Sequence, residues 1–222
     1  MKLFADTANL LEIEDLLKKG VIQGVTTNPS LLAKEPKTDF YQHIQKICNL
    51  CMKYETELPI SVEVFATEPD KMIDQAMEIV EKIEYSNLNI KIPIGFEELR
   101  VIKELSKRGL KVNCTCCFTT TQLQLASLAG ARYVSLFYNR LIDVGGEPVS
   151  ALKKTRDFIN ENDLNCEIIA GSIRNPYDLD NCWNAGCHIV TAAHSVIEKA
   201  VQHVKTEESI QGFIKDFEQW IK

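Results

Sequence analysis

Lys91 is the residue of this sequence best suited to covalent chemistry. It interrupts an otherwise apolar run, NIKIPI at residues 89–94, where it alternates with three isoleucines. Alternation is typical of a β-strand and places the isoleucines on one face and Lys91 on the other. Lysine is almost never fully buried unless it is paired or functional. Because burial and nearby cations favour the neutral amine, which attacks carbonyl carbons, we predict Schiff-base chemistry at Lys91.

Two carboxylates occupy comparable positions in other strand-like runs. Asp6 lies near the end of KLFADT, and in SVEV at residues 61–64 alternation places Glu63 opposite the valines. An iminium on Lys91 would draw electrons from an adjacent C–C bond, and its cleavage needs a group that moves protons at the substrate hydroxyls and at water. Asp6 and Glu63 are the inward-facing carboxylates predicted to do so.

The run KVNCTCCF at residues 111–118 carries polar side chains on one face. Alternation directs Cys114 and Cys116 outward and leaves Asn113 and Thr115 inward, where Thr115 is placed to hold a water between acid and lysine. Further polar residues interrupt or end other apolar runs: Thr26, Asn28, Ser135 and Ser172. For any single threonine or asparagine, a hydrogen-bonded network that only fixes the strands is an alternative to a functional role.

Eight β-rich runs alternate with amphipathic helical runs. The predicted strands cover residues 2–7, 24–28, 59–66, 88–94, 111–118, 133–138, 167–172 and 188–193. Each precedes a helical stretch such as 68–83, with Gly at the helix ends and Pro near the starts. This order predicts an α/β fold, a single (β/α)8 barrel domain over residues 1–222 with polar groups at the carboxyl ends of its strands. An open doubly wound sheet is the rival, but no Gly-rich phosphate loop follows any strand.

One more amphipathic helix is predicted at about residues 206–221, beyond the eighth unit. Its apolar residues are Ile210, Phe213, Ile214, Phe217 and Ile221. This spacing is typical of a single helix face. The helix either covers the barrel as a lid or docks on another subunit.

Composition and charge exclude several kinds of partner. The net charge of -6 argues against binding to nucleic acid or to an anionic membrane. No apolar stretch approaches the ~18 residues of a membrane span and the opening residues hold no signal run, so we expect a cytoplasmic protein. Its eight cysteines, including the pair Cys48 and Cys51, are then expected to be reduced and packed in the core rather than bound to metal. We expect no metal and no cofactor.

Several motifs together resemble the transaldolase family. They are FADTA at residues 4–8, GVTTNPS at 24–30, IKIP at 90–93, ARYVS at 131–135, NR at 139–140 and AGSIR at 170–174. They run in register from residue 2 to about residue 200. The chain length is similar to the small-subunit branch, which also holds the fructose-6-phosphate aldolases. TTNPS and the lysine of the fourth strand are specific in combination.

The resemblance implies a role for each matching residue. Lys91 matches the Schiff-base lysine, and Asp6 the carboxylate that transfers a proton near the C4 hydroxyl of the sugar. Glu63 and Thr115 resemble the pair that holds the catalytic water. The implied substrate-binding residues are Thr26, Asn28, Asn113, Ser135 and Phe137, with Arg140, Ser172 and Arg174 as a phosphate clamp. Barrel loops after strands 7 and 8 frequently bind phosphate, and arginine offers a bidentate fork.

Two positions bear on the branch of the family. Transaldolases resemble this sequence at Glu63 and Phe137, where the aldolases have Gln and Tyr. Both positions favour a transaldolase that transfers a dihydroxyacetone unit from fructose 6-phosphate or sedoheptulose 7-phosphate to an aldose phosphate. A fructose-6-phosphate aldolase is the alternative, because YNR at residues 138–140 resembles that branch more closely. A one-residue shift in register would also turn the Tyr138 hydroxyl inward, whereas alternation with Tyr133 and Ser135 places Phe137 inside. A non-catalytic barrel that binds sugar phosphates is a third hypothesis.

The resemblance also implies partners. They are small sugar phosphates and further copies of the chain, with no nucleic acid and no membrane. The resemblance to the small-subunit branch implies a ring-shaped homo-oligomer, a pentamer or decamer, in which the terminal helix contacts a neighbouring subunit.

Overall fold

The β-strands form a closed barrel in the computed structural model, which describes residues 1–54 and 57–221. The strands are β1 (Lys2–Asp6), β2 (Val25–Thr26), β3 (Ile60–Glu63), β4 (Leu88–Pro93), β5 (Lys111–Cys117), β6 (Tyr133–Phe137), β7 (Glu167–Ile173) and β8 (Ile189–Ala192). All neighbours are parallel, and β8 closes the ring by pairing with β1. The (β/α)8 barrel is therefore confirmed, and the open sheet was the wrong alternative.

Helices follow every strand. They are α1 (Leu10–Lys18), α2 (Pro29–Leu32), α3 (Phe40–Tyr54), α4 (Pro69–Lys82), α5 (Glu98–Lys107), α6 (Thr120–Leu128), α7 (Tyr138–Asp143), α8 (Pro148–Glu161), α9 (Pro176–Asn184), α10 (His194–Ala200) and α11 (Val204–Trp220). The proline of α4 lies in its first turn, as predicted. Gly109 and Gly130 end helices with φ of 86° and 100°, a backbone conformation that costs glycine little.

Two apolar regions fix the faces of the strands. Between strands and helices, residues such as Ile90 and Ile92 of β4 are fully buried, which turns Lys91 toward the barrel interior. A second apolar cluster fills part of the barrel interior and consists of Phe4, Tyr133, Ile169 and Ile189. Each of these precedes by two residues a polar or small residue of the same strand, so the open end of the barrel is left to polar groups.

The opposite end of the barrel is tied by ion pairs. Glu167 at the start of β7 accepts from Lys2 Nζ at 2.8 Å and from Arg132 Nη2 at 2.9 Å. These contacts join the beginnings of β1, β6 and β7, so they belong to the frame of the barrel.

The C-terminal helix α11 begins close to the predicted position. Every residue from Val204 to Trp220 is exposed, including the apolar row of Ile210, Phe213, Ile214 and Phe217. In the part of the chain that the structure describes, no helix has both the length and the apolar character needed to traverse a lipid bilayer.

All eight cysteines are free thiols. Cys48 and Cys51 are buried on α3, where burial raises the pKa of each thiol to about 12. Among the described residues, no three His, Cys, Asp or Glu side chains come together as ligands of a metal ion would.

Candidate active site

A cavity of about 260 Å³ opens at the carboxyl ends of the strands. Of the twelve site residues predicted from the sequence, all except Arg174 line it. Their side chains come from all of the strands β1 to β7, from the segment between β2 and α2, and from α7. The closed ring brings distant parts of the chain together here, as barrel active sites require.

Lys91 lies at the base of this cavity with only 6% of its surface exposed. Its Nζ is 3.1 Å from Glu63 Oε2 and donates to the backbone oxygen of Thr27 at 2.8 Å. Cations were predicted near this amine from the sequence, whereas its ion-pair partner is the carboxylate of Glu63 on the neighbouring strand. Attack on a carbonyl requires the neutral amine, and Glu63 lies within reach to accept the proton that leaves Lys91 Nζ.

Asp6 lies across the cavity at the end of β1. Its Oδ1 accepts from Thr26 Oγ1 at 2.8 Å, and Thr26 in turn lies 2.6 Å from Thr191 Oγ1. Burial raises the pKa of Asp6 above its ordinary value, while the charge of Lys91 and the Thr26 hydrogen bond act in the opposite direction. Thr191 was missed in the sequence, although it stands on an inward-facing position of β8.

The middle of the barrel holds a hydrogen-bonded amide. Asn113 on β5 is fully buried, accepts from Ser135 Oγ at 2.7 Å and donates to Ser61 Oγ at 3.2 Å. These bonds hold the amide rigidly at the cavity wall. On the same strand, the Thr115 hydroxyl is buried and makes no hydrogen bond within the described residues.

The face assigned to Cys116 was wrong. Strict alternation sent it outward, but it lines the cavity. The pairing of β5 with β6 shifts register between Cys114 and Cys117, and Cys116 has φ of 62°. Such a bulge adds a residue to the strand and reverses the faces beyond it. Burial raises the pKa of the Cys116 thiol, and the negative charge of Glu63 adds to this effect.

Phe137 rather than Tyr138 faces the cavity. Tyr138 begins α7 and is 97% buried outside the cavity, which agrees with the alternation of β6. The Phe137 ring packs edge-on against Phe118 and lies 4.6 Å from the guanidinium carbon of Arg140. The ring thus supports Arg140 at the rim.

Arg174 does not reach the cavity in this structure. Its guanidinium is held by the carboxylate of Asp143, with Nη1 to Oδ1 at 2.7 Å, as an exposed bidentate pair. The sequence did not indicate that Asp143 would bind the Arg174 guanidinium, because Asp143 lies on α7 and meets Arg174 only in the folded chain. Ser172 does line the cavity and has φ of 60°.

The arrangement combines a buried amine, two carboxylates and a rim that holds a guanidinium and a hydroxyl. Lys91 and Glu63 stand on adjacent strands, Asp6 faces them, and Arg140 with Ser172 marks one edge. A ligand with a carbonyl, several hydroxyls and a terminal phosphate matches this distribution of charge and donors.

Comparison with known proteins places the chain among similar sequences. Residues 3–222 match the family model described as Transaldolase/Fructose-6-phosphate aldolase. A protein of Caldicellulosiruptor saccharolyticus named "Probable transaldolase" is 42% identical over 219 residues, 98% of this chain and 97% of that protein. One of the same name from Clostridium botulinum strain Hall is 40% identical over 218 residues, again 98% and 97% of the two chains.

Similarity to a solved structure concerns the fold alone. The structure described as "Native KDPGal structure" superposes with a TM-score of 0.58 at 17% identity, and the match covers 100% of this chain and 96% of that one.

Proposed function

This chain belongs to the transaldolase/fructose-6-phosphate aldolase family, and from that premise we propose that it is a transaldolase acting through a Schiff base on Lys91. It takes a dihydroxyacetone unit from a ketose phosphate such as fructose 6-phosphate and passes it to an aldose phosphate such as erythrose 4-phosphate. The observation that supports this most is the buried amine of Lys91, 3.1 Å from Glu63 in the cavity that also holds Asp6.

The first half-reaction forms and cleaves the adduct. Neutral Lys91 Nζ attacks the C2 carbonyl of the ketose, water leaves, and an iminium forms. Asp6 accepts the C4 hydroxyl proton, the C3–C4 bond breaks, and its electron pair moves to the iminium to give an enamine. The released product is glyceraldehyde 3-phosphate, whose phosphate is bound by Arg140 and Ser172.

The second half-reaction reverses these steps on a new aldehyde. The enamine carbon attacks the carbonyl of the acceptor, and Asp6 returns the proton to the new hydroxyl. Water then hydrolyses the iminium and frees Lys91. Glu63 and Thr115 hold this water, a role supported by the buried Thr115 hydroxyl that has no partner among the described residues.

Reductive trapping tests the proposal. Borohydride added with fructose 6-phosphate should fix a sugar-derived adduct on Lys91, located by mass spectrometry. Lys91→Ala should abolish both the adduct and the activity. A sugar attached elsewhere, or an active Lys91→Ala variant, would contradict the proposal. The absence of any adduct would favour the hypothesis of a non-catalytic barrel that binds sugar phosphates.

A coupled assay separates transfer from cleavage. Formation of glyceraldehyde 3-phosphate should depend on added erythrose 4-phosphate, with sedoheptulose 7-phosphate as the other product. Rapid cleavage of fructose 6-phosphate without an acceptor would favour the fructose-6-phosphate aldolase. The exclusion of Tyr138 from the cavity supports the transferase.

We also propose that the protein is a homo-oligomer. The support is α11, a helix of 17 residues whose apolar row is entirely exposed. Contiguous apolar surface of this kind usually marks an interaction site. A second copy of the chain is the proposed partner.

A further inference from the structure

Asp178 on α9 is a buried carboxylate that the proposed mechanism does not use. Only 5% of its surface is exposed, and it does not line the cavity. One of its oxygens, Oδ2, accepts three hydrogen bonds: from Asn139 Nδ2 at 2.6 Å, from Arg174 N at 2.9 Å and from Asn175 N at 3.1 Å. A capping box explains only the bond from Asn175, because that motif pairs Asn175 with Asp178 at the start of α9.

The other donors connect Asp178 to the rim where Arg140 and Ser172 are proposed to bind phosphate. Asn139 precedes Arg140 on α7, and its Nδ2 donates also to the Ser172 carbonyl at 2.9 Å. Ser172 has φ of 60°, which is unfavourable for a residue with a Cβ and persists only where neighbouring contacts hold it. One carboxylate thereby joins α7, which carries Arg140, to the end of β7, which carries Ser172.

From this geometry we infer that Asp178 and Asn139 are positioning residues that set the spacing of Arg140 and Ser172 and so determine the preference for phosphorylated ligands. The inference rests on the proposed function, because it concerns the phosphate end of the same site. Neither residue touches substrate. Both act through the conformation of residues 172–175 and of α7.

The reason is the cost of leaving the donors unsatisfied. Without the carboxylate, the buried Asn139 Nδ2 and two partly buried backbone N–H groups lose an acceptor, and the backbone at Ser172 relaxes as these groups find others. Lys91 lies on β4, two strands from β6 and three from β7, and its hydrogen bond to the Thr27 backbone oxygen lies outside this network. Binding of the phosphate should therefore weaken far more than capture of a carbonyl by Lys91.

The experiment compares two ligands that form the same bond with Lys91 and differ in phosphate. Borohydride-trapped adduct is measured by mass spectrometry against the concentration of fructose 6-phosphate and, separately, of dihydroxyacetone. In Asp178→Ala, the half-saturating concentration of fructose 6-phosphate should rise about tenfold, as expected for the loss of roughly 1.4 kcal/mol, relative to that of dihydroxyacetone. Asp178→Asn keeps an acceptor oxygen and should recover part of the loss.

Asp180→Ala is the matched control, since Asp180 is an exposed aspartate on the same helix. It should change neither concentration. Equal changes for both ligands in Asp178→Ala, or no change for either, would overturn the inference while the adduct in the unaltered protein still supports the proposed function. No adduct in the unaltered protein would overturn the proposed function itself, and the inference with it.

Discussion

In the proposed mechanism Asp6 must be ionised to take a proton from a sugar hydroxyl, and its burial opposes that ionisation. Burial in the barrel raises its pKa, and the charges of Lys91 and Arg140 offset this only in part. An acid with a raised pKa loses its ionised form as the pH falls through that value. We therefore expect the acid limb of the pH–kcat profile to lie above 3.8, the ordinary value for aspartate.

Asp6→Asn removes this base and leaves Lys91 in place. We expect kcat to fall by about 10²- to 10⁴-fold. Because the C3–C4 bond then stays intact, borohydride should trap the six-carbon sugar phosphate on Lys91 instead of a three-carbon fragment, a difference that mass spectrometry resolves. Asp74→Asn, an exposed aspartate on α4, serves as control. A three-carbon adduct formed at the normal rate in Asp6→Asn would contradict the role given to Asp6.

In the proposed mechanism, the lack of a hydroxyl on Phe137 distinguishes a transaldolase from a fructose-6-phosphate aldolase. A hydroxyl at this position would face the cavity, where it can protonate the enamine or activate water. Phe137→Tyr should raise acceptor-independent cleavage of fructose 6-phosphate by at least about tenfold. The matching control is Tyr138→Phe, which removes a hydroxyl outside the cavity and should leave this rate unchanged. An effect of Tyr138→Phe in place of Phe137→Tyr would show that the faces are assigned wrongly.

At the level of elements, a histidine with a lowered pKa, His188, lies directly before β8. His188 Nδ1 accepts the backbone N–H of Ile168 at 3.0 Å, a bond that a protonated Nδ1 cannot make. Burial first, then the Arg156 guanidinium, lowers the pKa of His188 to about 4, and the carboxylate of Glu167 opposes this. Two further cations act in the lowering direction, Lys2 and Arg132.

This histidine should make the barrel acid-sensitive. Between pH 6.5 and about 4, His188 binds a proton in the unfolded chain but not in the folded chain. The free energy of unfolding therefore falls as the pH falls through this window. Allowing for partial exposure, the loss is on the order of 1–2 kcal/mol. Denaturant titrations at several pH values should show that the free energy of unfolding depends less on pH in His188→Asn, which keeps a hydrogen-bond acceptor, than in the control His203→Asn. Equal slopes in the two variants would contradict this assignment.

At the scale of the whole molecule, α11 should decide the oligomeric state. Phe213 and Phe217 are adjacent on its exposed apolar row, and burial of each is worth about 1.5–3 kcal/mol. The double variant Phe213→Ala/Phe217→Ala keeps the helix propensity and should lower the mass measured by light scattering. Lys215→Ala/Glu218→Ala, on the same helix, should not. A clean monomer for the unaltered protein would remove the oligomer proposal.

The strands and most of the cavity were predictable because their signals are local. Isoleucines alternating with Lys91 indicate the face of β4 without knowledge of any other strand, and all eight predicted strands are present. Their ends were less predictable: β2 is reduced to Val25–Thr26, because pairing with both neighbours ends there. Thr191 carried the same inward-facing signal and could have been found.

What the sequence determined by itself is the order of the eight strand–helix units and the inward position of a lysine and two carboxylates, since side-chain direction follows from backbone alternation. Only the tertiary structure decided that Cys116 enters the cavity, that Asp143 holds Arg174, and that Asp178 joins α7 to the segment that follows β7. These features depend on register shifts and on charges that meet across long sequence separations. No local pattern encodes either, because each is set by which elements the closed barrel brings side by side.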